Sequence, residues 1–218
     1  TGAIDISFDG GNGDNDVVIT KFDSSGTFLH YSTYLGGSSC EVVSSMIVNP
    51  QGELFIYGTT GSNNFPVSTS AYDKSFNGGT NVSFIQNGTS YKNGTDLYVC
   101  HFNATGTSLL ASTYVGGSQN DGANNSTNAL AYNYGDYYRG EMQLDGAGDV
   151  YVASTSYSNN FPTTAGCVQS AAGGGMDGVV FKMPPDLSRL TWSTYIGGSA
   201  DDGCYGVIVD NSLNVFVT

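Results

Sequence analysis

Short runs of alternating apolar and polar residues, each closed by a cluster of turn residues, run through the chain from Asp16 onward. DVVITKF at 16–22 is followed by the turn Asp23-Ser24-Ser25-Gly26 and a strand at 28–35. Strands at about 43–48 and 53–58 flank the turn Asn49-Pro50-Gln51-Gly52. The cycle restarts at Asp96 with strand 96–102, the turn Asn103-Ala104-Thr105-Gly106 and strand 108–115. Strands 140–144 and 149–154 then enclose Asp145-Gly146-Ala147-Gly148. A third cycle starts at Asp177, passes Trp192 and ends in the short strands 207–210 and 214–217. Four strands per cycle and about twelve overall are predicted. Residues 1–15 read as a short strand and a glycine-rich loop, and the segment from Phe65-Pro66 to Asp96 shows no periodicity.

One stretch fixes the period. Ser32-Thr33-Tyr34-Leu35-Gly36-Gly37-Ser38 returns as Ser112–Ser118 and again as Ser193–Ser199, at spacings of 80 and 81 residues. In each copy a β-branched and aromatic run stops at two glycines, so a strand ends where the backbone needs unrestricted φ. The expected fold class is all-β, with four-stranded antiparallel units repeated around an axis as the blades of a β-propeller. A twelve-stranded β-sandwich would leave the near-constant period unexplained. Strands 16–22, 96–102 and 177–183 take the third place in their blades, and 30–35, 109–115 and 190–196 the outer fourth. About three blade equivalents are present, and a propeller needs at least roughly four. The chain therefore reads as one partial propeller domain over 1–218, with blade pieces at about 1–38, 39–118, 119–199 and 200–218, and as a piece of something longer.

These residues carry a resemblance. D-V-V-I-T-K-F-D-S-S-G-T, Y-S-T-Y-L-G-G-S, the D-x-x-G-D-V-Y-V at 145–152 and N-F-P-T-T at 160–164 resemble the bacterial SBBP repeat, named for a predicted seven-bladed β-propeller. The resemblance covers nearly the whole chain outside its insertions. It implies large secreted or surface-exposed bacterial proteins and brings no catalytic set. The turn Pro184-Pro185-Asp186-Leu187 departs from the Asp-Ser-Ser-Gly pattern.

Composition narrows the function. Only 11% of residues are charged, the formal net charge is −13, and there are 31 glycines and 15 tyrosines. Such a charge repels phosphate backbones, which argues against nucleic acid, and no apolar run approaches a membrane span. Few lysines beside much hydroxyl and amide surface suit an extracellular or cell-surface location. The four cysteines permit up to two disulfides or remain buried thiols, with Cys167 and Cys204 the pair near neighbouring connections.

Strand parity sorts the loops onto two faces. Tight turns occupy one, whereas the insertions 74–95 and 119–139 share the other, which is how a scaffold presents binding loops. Tyr132, Tyr134, Tyr137 and Tyr138, with Asp136 and Arg139, form the candidate contact surface, since tyrosine offers amphipathic area at low entropic cost. Packing of these tyrosines against their own blade is the competing use. Asn81, Asn87, Asn93, Asn103, Asn124 and Asn125 head glycosylation sequons, a by-product of an Asn/Thr-rich composition. Asp9, Asn12, Asp14 and Asp16 offer oxygens to calcium, as do Asp201 and Asp202, although turn capping uses the same residue types. His30 and His101 lie at non-equivalent places in strands. Nothing resembles a nucleophile elbow, a phosphate-cradling loop or the three arginines of a sialidase-type site, since only Arg139 and Arg189 are present. The reading is a non-catalytic scaffold or adhesion module meeting proteins or cell-surface glycans. The alternative is a glycan-binding or glycan-cleaving propeller whose key residues lie partly in other blades.

Overall fold

The computed structural model describes residues 3–11, 14–84, 88–125, 130 and 137–218. Among them are fourteen strands and no α-helix. β1 (Val17–Phe22) and β2 (Leu29–Leu35) pair with each other. β3 (Glu41–Val48), β4 (Leu54–Thr60), β7 (Asp96–Phe102) and β8 (Leu109–Val115) form a four-stranded sheet in the order β3-β4-β7-β8. The hairpin of β5 (Val82–Phe84) and β6 (Thr89–Tyr91) leaves that sheet between β4 and β7. β9 (Glu141–Leu144), β10 (Val150–Ser156), β11 (Asp177–Met183) and β12 (Trp192–Ile196) form a second four-stranded sheet in chain order. β13 (Val207–Val209) and β14 (Val215–Val217) pair as a final hairpin. All pairings are antiparallel.

The register repeats with the sequence. Tyr34 stands opposite Val18, Tyr114 opposite Tyr98, and Tyr195 opposite Val179. The expected third and fourth strands thus hold equivalent places. Within each complete sheet the two middle strands are buried on both faces, because the sheets stack. Period-two alternation decides which way each side chain goes. Phe55, Tyr57, Leu97 and Val99 pack toward Val150, Val152, Val179 and Phe181 of the β9–β12 sheet. Their alternates Leu54, Ile56, Tyr98 and Cys100 pack toward Val17, Ile19 and Tyr31 of β1–β2. Tyr151 and Val180 face Val207 and Val215 of the last hairpin. Burying one such large side chain contributes roughly 1.5–3 kcal/mol, so the stacked faces carry most of the stability.

Two expectations change. Residues 3–11 contain no strand. Ile4 and Ile6 alternate as a strand would, but Ile6 is 87% exposed and the segment is an outer strap on β2. Tyr34 N–H donates to the Asp5 carbonyl at 3.1 Å, and the Asp5 N–H to Thr33 Oγ1 at 3.0 Å. Tyr114 and Tyr195 N–H donate in the same way to the Asp73 and Gln169 carbonyls. The segment after Phe65-Pro66 is therefore repeat structure as far as Gly79, and the insertion proper carries β5 and β6. Fourteen strands replace about twelve.

The tight turns share one device. Asp23, Asn103, Asp145 and Asp210 each accept two backbone N–H groups on one side-chain oxygen, and the fourth residue turns to positive φ. That fourth residue is Gly in three of these turns but Leu213, at φ 64°, in the last, and Leu187 takes φ 52° in Pro184–Leu187. A left-handed leucine costs about 1–2 kcal/mol. Leu213 is exposed whereas Leu187 is fully buried in the main core. Leu213→Gly should therefore leave stability unchanged or raise it by up to about 1 kcal/mol, and Leu187→Gly should lower it by about 2–4 kcal/mol in urea unfolding.

Candidate functional site

Each double glycine is a station where two carboxylates meet. The residue four places after the second glycine is Glu41, Asp121 or Asp202, and its carboxylate accepts the N–H of Gly37 (3.0 Å), Gly117 (2.7 Å) or Gly198 (2.6 Å). The aspartate opening the third strand, Asp16, Asp96 or Asp177, comes from the other side. Asp16 accepts the N–H of Asp9, Asp96 those of Asn77 and Gly78, and Asp177 those of Gly173 and Gly174. The first glycine sits between the two. A Cβ on Gly36 would lie 2.6 Å from Glu41 Oε2 and 2.7 Å from Asp16 Oδ1. On Gly116 it would lie 2.6 Å from Asp96 Oδ1 and 2.9 Å from Asp121 Oδ2. Glycine is required by this approach, not by a turn.

The N-F-P motif completes two of the stations. Thr60 Oγ1 donates to Glu41 Oε1 at 2.6 Å, and Ser156 Oγ to Asp121 Oδ1. Ser39 N–H donates to Ser62 Oγ, and Gln119 N–H to Ser158 Oγ. Asn64 Oδ1 accepts both the N–H and the hydroxyl of Ser38, and Asn160 Oδ1 does the same for Ser118. Tyr114 and Tyr195 hydroxyls bridge the carbonyl of Ser62 or Ser158 and the N–H of Phe65 or Phe161. Burial pushes Glu41 up to about 7 and Asp121 up to about 7. Burial and then the Asp121 charge push Asp96 up to about 8. The carboxylate recurring four residues after each second glycine is the sequence signal of the station.

A second repeated position ties neighbouring sheets in two of its three copies. Lys21 Nζ donates to the Ala104 carbonyl at 2.9 Å. His101 holds the same strand place, with Nδ1 3.0 Å from the Pro185 carbonyl and Nε2 3.0 Å from Glu53 Oε2. Its ring stacks on Phe55 with centroids 3.9 Å apart. Lys182, third in the series, lies 4.7 Å over the Tyr151 ring and 2.8 Å from Asp149. Register irregularities beside Lys21 and His101 aim both side chains. His101 is thus the histidine form of a lysine latch. His101→Lys should stay within about 1 kcal/mol of the parent, and His101→Ala should lose about 1–3 kcal/mol by urea denaturation. The latch borders a cavity of about 710 Å³ between the Asn49–Gly52 and Asp145–Gly148 turns, walled also by Gln51, Gln143 and Leu144. It opens on the face of tight turns, opposite the insertions.

On the elaborated face the two insertions meet. Phe84 of β5 packs on Tyr137 (centroids 4.5 Å) and Tyr138 (5.0 Å), and Tyr91 of β6 approaches Tyr138 at 6.0 Å. Cys40, Val82 and Ala123 complete this small core. Tyr138 is buried and Tyr137 half-buried. Arg139 is exposed, its guanidinium 5.3 Å over the Tyr205 ring. Tyr132, Tyr134 and Asp136 lie outside the described residues. Of the sequon residues, Asn124 is buried with its amide bonded to Tyr205 Oη and the Leu130 carbonyl, so glycosylation of the folded chain there is blocked.

Some of the proposed calcium oxygens accept the chain's own donors, whereas Asp16 Oδ1 is buried without a hydrogen-bond partner. Besides Asp16, Asp14 Oδ2 accepts the Gly11 N–H and Asp14 Oδ1 the Cys40 thiol. Asn12 lies outside the described residues. Burial, ahead of the charges of Asp9, Asp5 and Asp14, raises Asp16 above the usual carboxylate range against the Asp9 N–H. All four cysteines are free thiols, so Cys167 and Cys204 are not bonded. Burial pushes Cys100 up to about 12 and Cys204 up to about 11, which leaves both as unreactive thiols. His30 is exposed and meets Phe28 edge-on. Compared with protein-family models and with the sequences of curated proteins, the chain matches none of them.

Proposed function

We propose that this chain is an arc of a β-propeller, similar to SBBP repeats, serving as a non-catalytic scaffold or adhesion module on the outside of a bacterial cell. Two complete four-stranded meanders stacked in chain order, with equivalent strand pairs before and after them, support the arc over a sandwich. The observation that carries the scaffold reading is the use made of the buried ionisable groups. Glu41, Asp96, Asp121 and His101 are all engaged by the chain's own backbone or neighbouring side chains. Spent on internal contacts, these groups hold the chain's own turns and strands in place. Contact with a partner falls to the elaborated face, where Tyr137, Arg139 and the β5–β6 hairpin sit together.

The glycan reading has one observation in its favour, a cavity onto which Gln51, Glu53, Gln143 and Asp145 open. Its aromatic wall, Phe55, is covered by the His101 ring, so no open platform for sugar stacking is offered there. The test is retention of intact bacterial cells on the immobilised chain. Cells retained by the parent, lost with Tyr137→Ala at an unchanged far-ultraviolet spectrum, and not displaced by free sugars are expected. Saturable binding or turnover of soluble oligosaccharides would overturn the reading.

A further inference from the structure

The two complete sheets fill one place differently. In the β9–β12 sheet the Lys182 ammonium lies 2.8 Å from Asp149 and 3.3 Å from Asp145, over the ring of Tyr151. The chain there holds an ammonium of its own against two carboxylates. The register sets Asn49, Glu53, Phe55 and His101 at the same four places of the β3-β4-β7-β8 sheet. The aromatic ring is kept, but one carboxylate has become an amide and the ammonium an imidazole.

Glu53 is left half claimed. Asn49 Nδ2 donates to its Oε2 at 2.9 Å, and His101 Nε2 lies 3.0 Å from the same oxygen. Among the described residues no donor reaches Glu53 Oε1. The Glu53 side chain is 29% exposed and lines the cavity of about 710 Å³ between the two sheets. Hydrogen bonds from Asn49 and then His101 hold its carboxyl below the usual carboxylate range, so it is an anion at neutral pH. Ile47, Leu144, Pro50 and Pro185 give the same cavity apolar walls, along which a cation can lay an alkyl stem.

We infer that this cavity binds a primary alkylammonium, from a free diamine or from a lysine side chain of a partner, with its nitrogen on Glu53 Oε1 and its stem along Ile47, Leu144 and Pro185. The ligand supplies to the first complete sheet what Lys182 supplies to the second. An ammonium suits the site better than a guanidinium, because a bidentate fork needs both carboxylate oxygens and Oε2 already meets two nitrogens. The net charge of −13 draws small cations toward the chain. The cavity lies on the face opposite the insertions, so this site stands apart from the partner contact at Tyr137.

Nuclear magnetic resonance titration of the chain with cadaverine should give saturable shifts at the amides of Gln51, Glu53 and Ala147. A parallel titration with Nα-acetyl-lysine amide tells the sources apart. Tighter cadaverine assigns a free diamine, and tighter acetyl-lysine amide assigns a protein side chain. Glu53→Gln should weaken cadaverine binding at least about tenfold, because a charge-assisted hydrogen bond becomes a neutral one. His101→Lys should weaken it by as much, since the chain's own ammonium then takes the carboxylate as Lys182 does. Both variants should keep the far-ultraviolet spectrum of the parent. Shifts that never saturate, binding unchanged in the two variants, or agmatine bound at least about tenfold tighter than cadaverine would overturn the site.

Discussion

Gly116→Ala should lower the unfolding free energy by more than about 3 kcal/mol, whereas Gly146→Ala should change it by less than about 1 kcal/mol. At Gly116 the added methyl meets two carboxylates that cannot retreat. Asp96 is held by the Asn77 and Gly78 amides, and Asp121 by Gly117, Ser156 and Ser158. Relief would break hydrogen bonds to buried charged or polar groups, each costing about 1–3 kcal/mol. At Gly146 nothing lies within 4 Å of a new Cβ, and its φ is not positive. Both variants make the same chemical change in the unfolded chain, so their difference reads the folded site. Urea denaturation of the pair is the measurement, and a Gly116→Ala chain within about 1 kcal/mol of the parent would refute the station as drawn.

The second large effect is on pH dependence. Burial raises Glu41 to about 7, Asp121 to about 7 and Asp96 to about 8, so folding favours their neutral forms. A folded-state value above the unfolded one, near 4, means that stability is complete below about pH 4 and is lost as pH climbs through 7 to 8. The chain should therefore be several kcal/mol less stable at pH 8.5 than at pH 5.5. Glu41→Gln isolates one contribution. The amide oxygen can still accept the Gly37 N–H, and its NH₂ can donate to Thr60 Oγ1. This variant should recover roughly 2 kcal/mol of the loss between pH 5.5 and 8.5 and bind about one proton fewer on folding near pH 6. Parallel pH profiles for parent and variant would contradict a buried, titrating Glu41.

The strands were legible because two local signals coincide in this chain. Period-two runs such as Val17–Phe22 are bounded by turns whose Asp or Asn must cap and whose Gly must take positive φ. The register of Tyr34, Tyr114 and Tyr195 followed from the repeat. The short hairpin was not legible, since three residues on each side are too few for alternation to show. Residues 3–11 misled because Ile4 and Ile6 alternate, although Ala-x-Asp-x-Ser-Phe recurs at 71–76 as a strap, not a strand. The stations were hidden for another reason. Asp96 and Asp121 are 25 positions apart and become a pair only when the third strand of one sheet meets the connection to the next. In sequence they are indistinguishable from turn caps. The tyrosine loop was found as a cluster, and the partner of Tyr137, Phe84, was not, because pairing two insertions is a tertiary event.

Native-state hydrogen exchange tests the repeated station most directly. The amides of Gly37 and Gly117 lie at strand ends, where exchange is ordinarily fast, yet each donates to a buried carboxylate. Protection of both comparable to the middle strands β4, β7 and β10, beside fast exchange at Ser24 and Gly146, is the expected result. Gly37 and Gly117 exchanging as fast as those turn amides would mean that the double glycines are only loop residues, and the carboxylate stations would have to be abandoned.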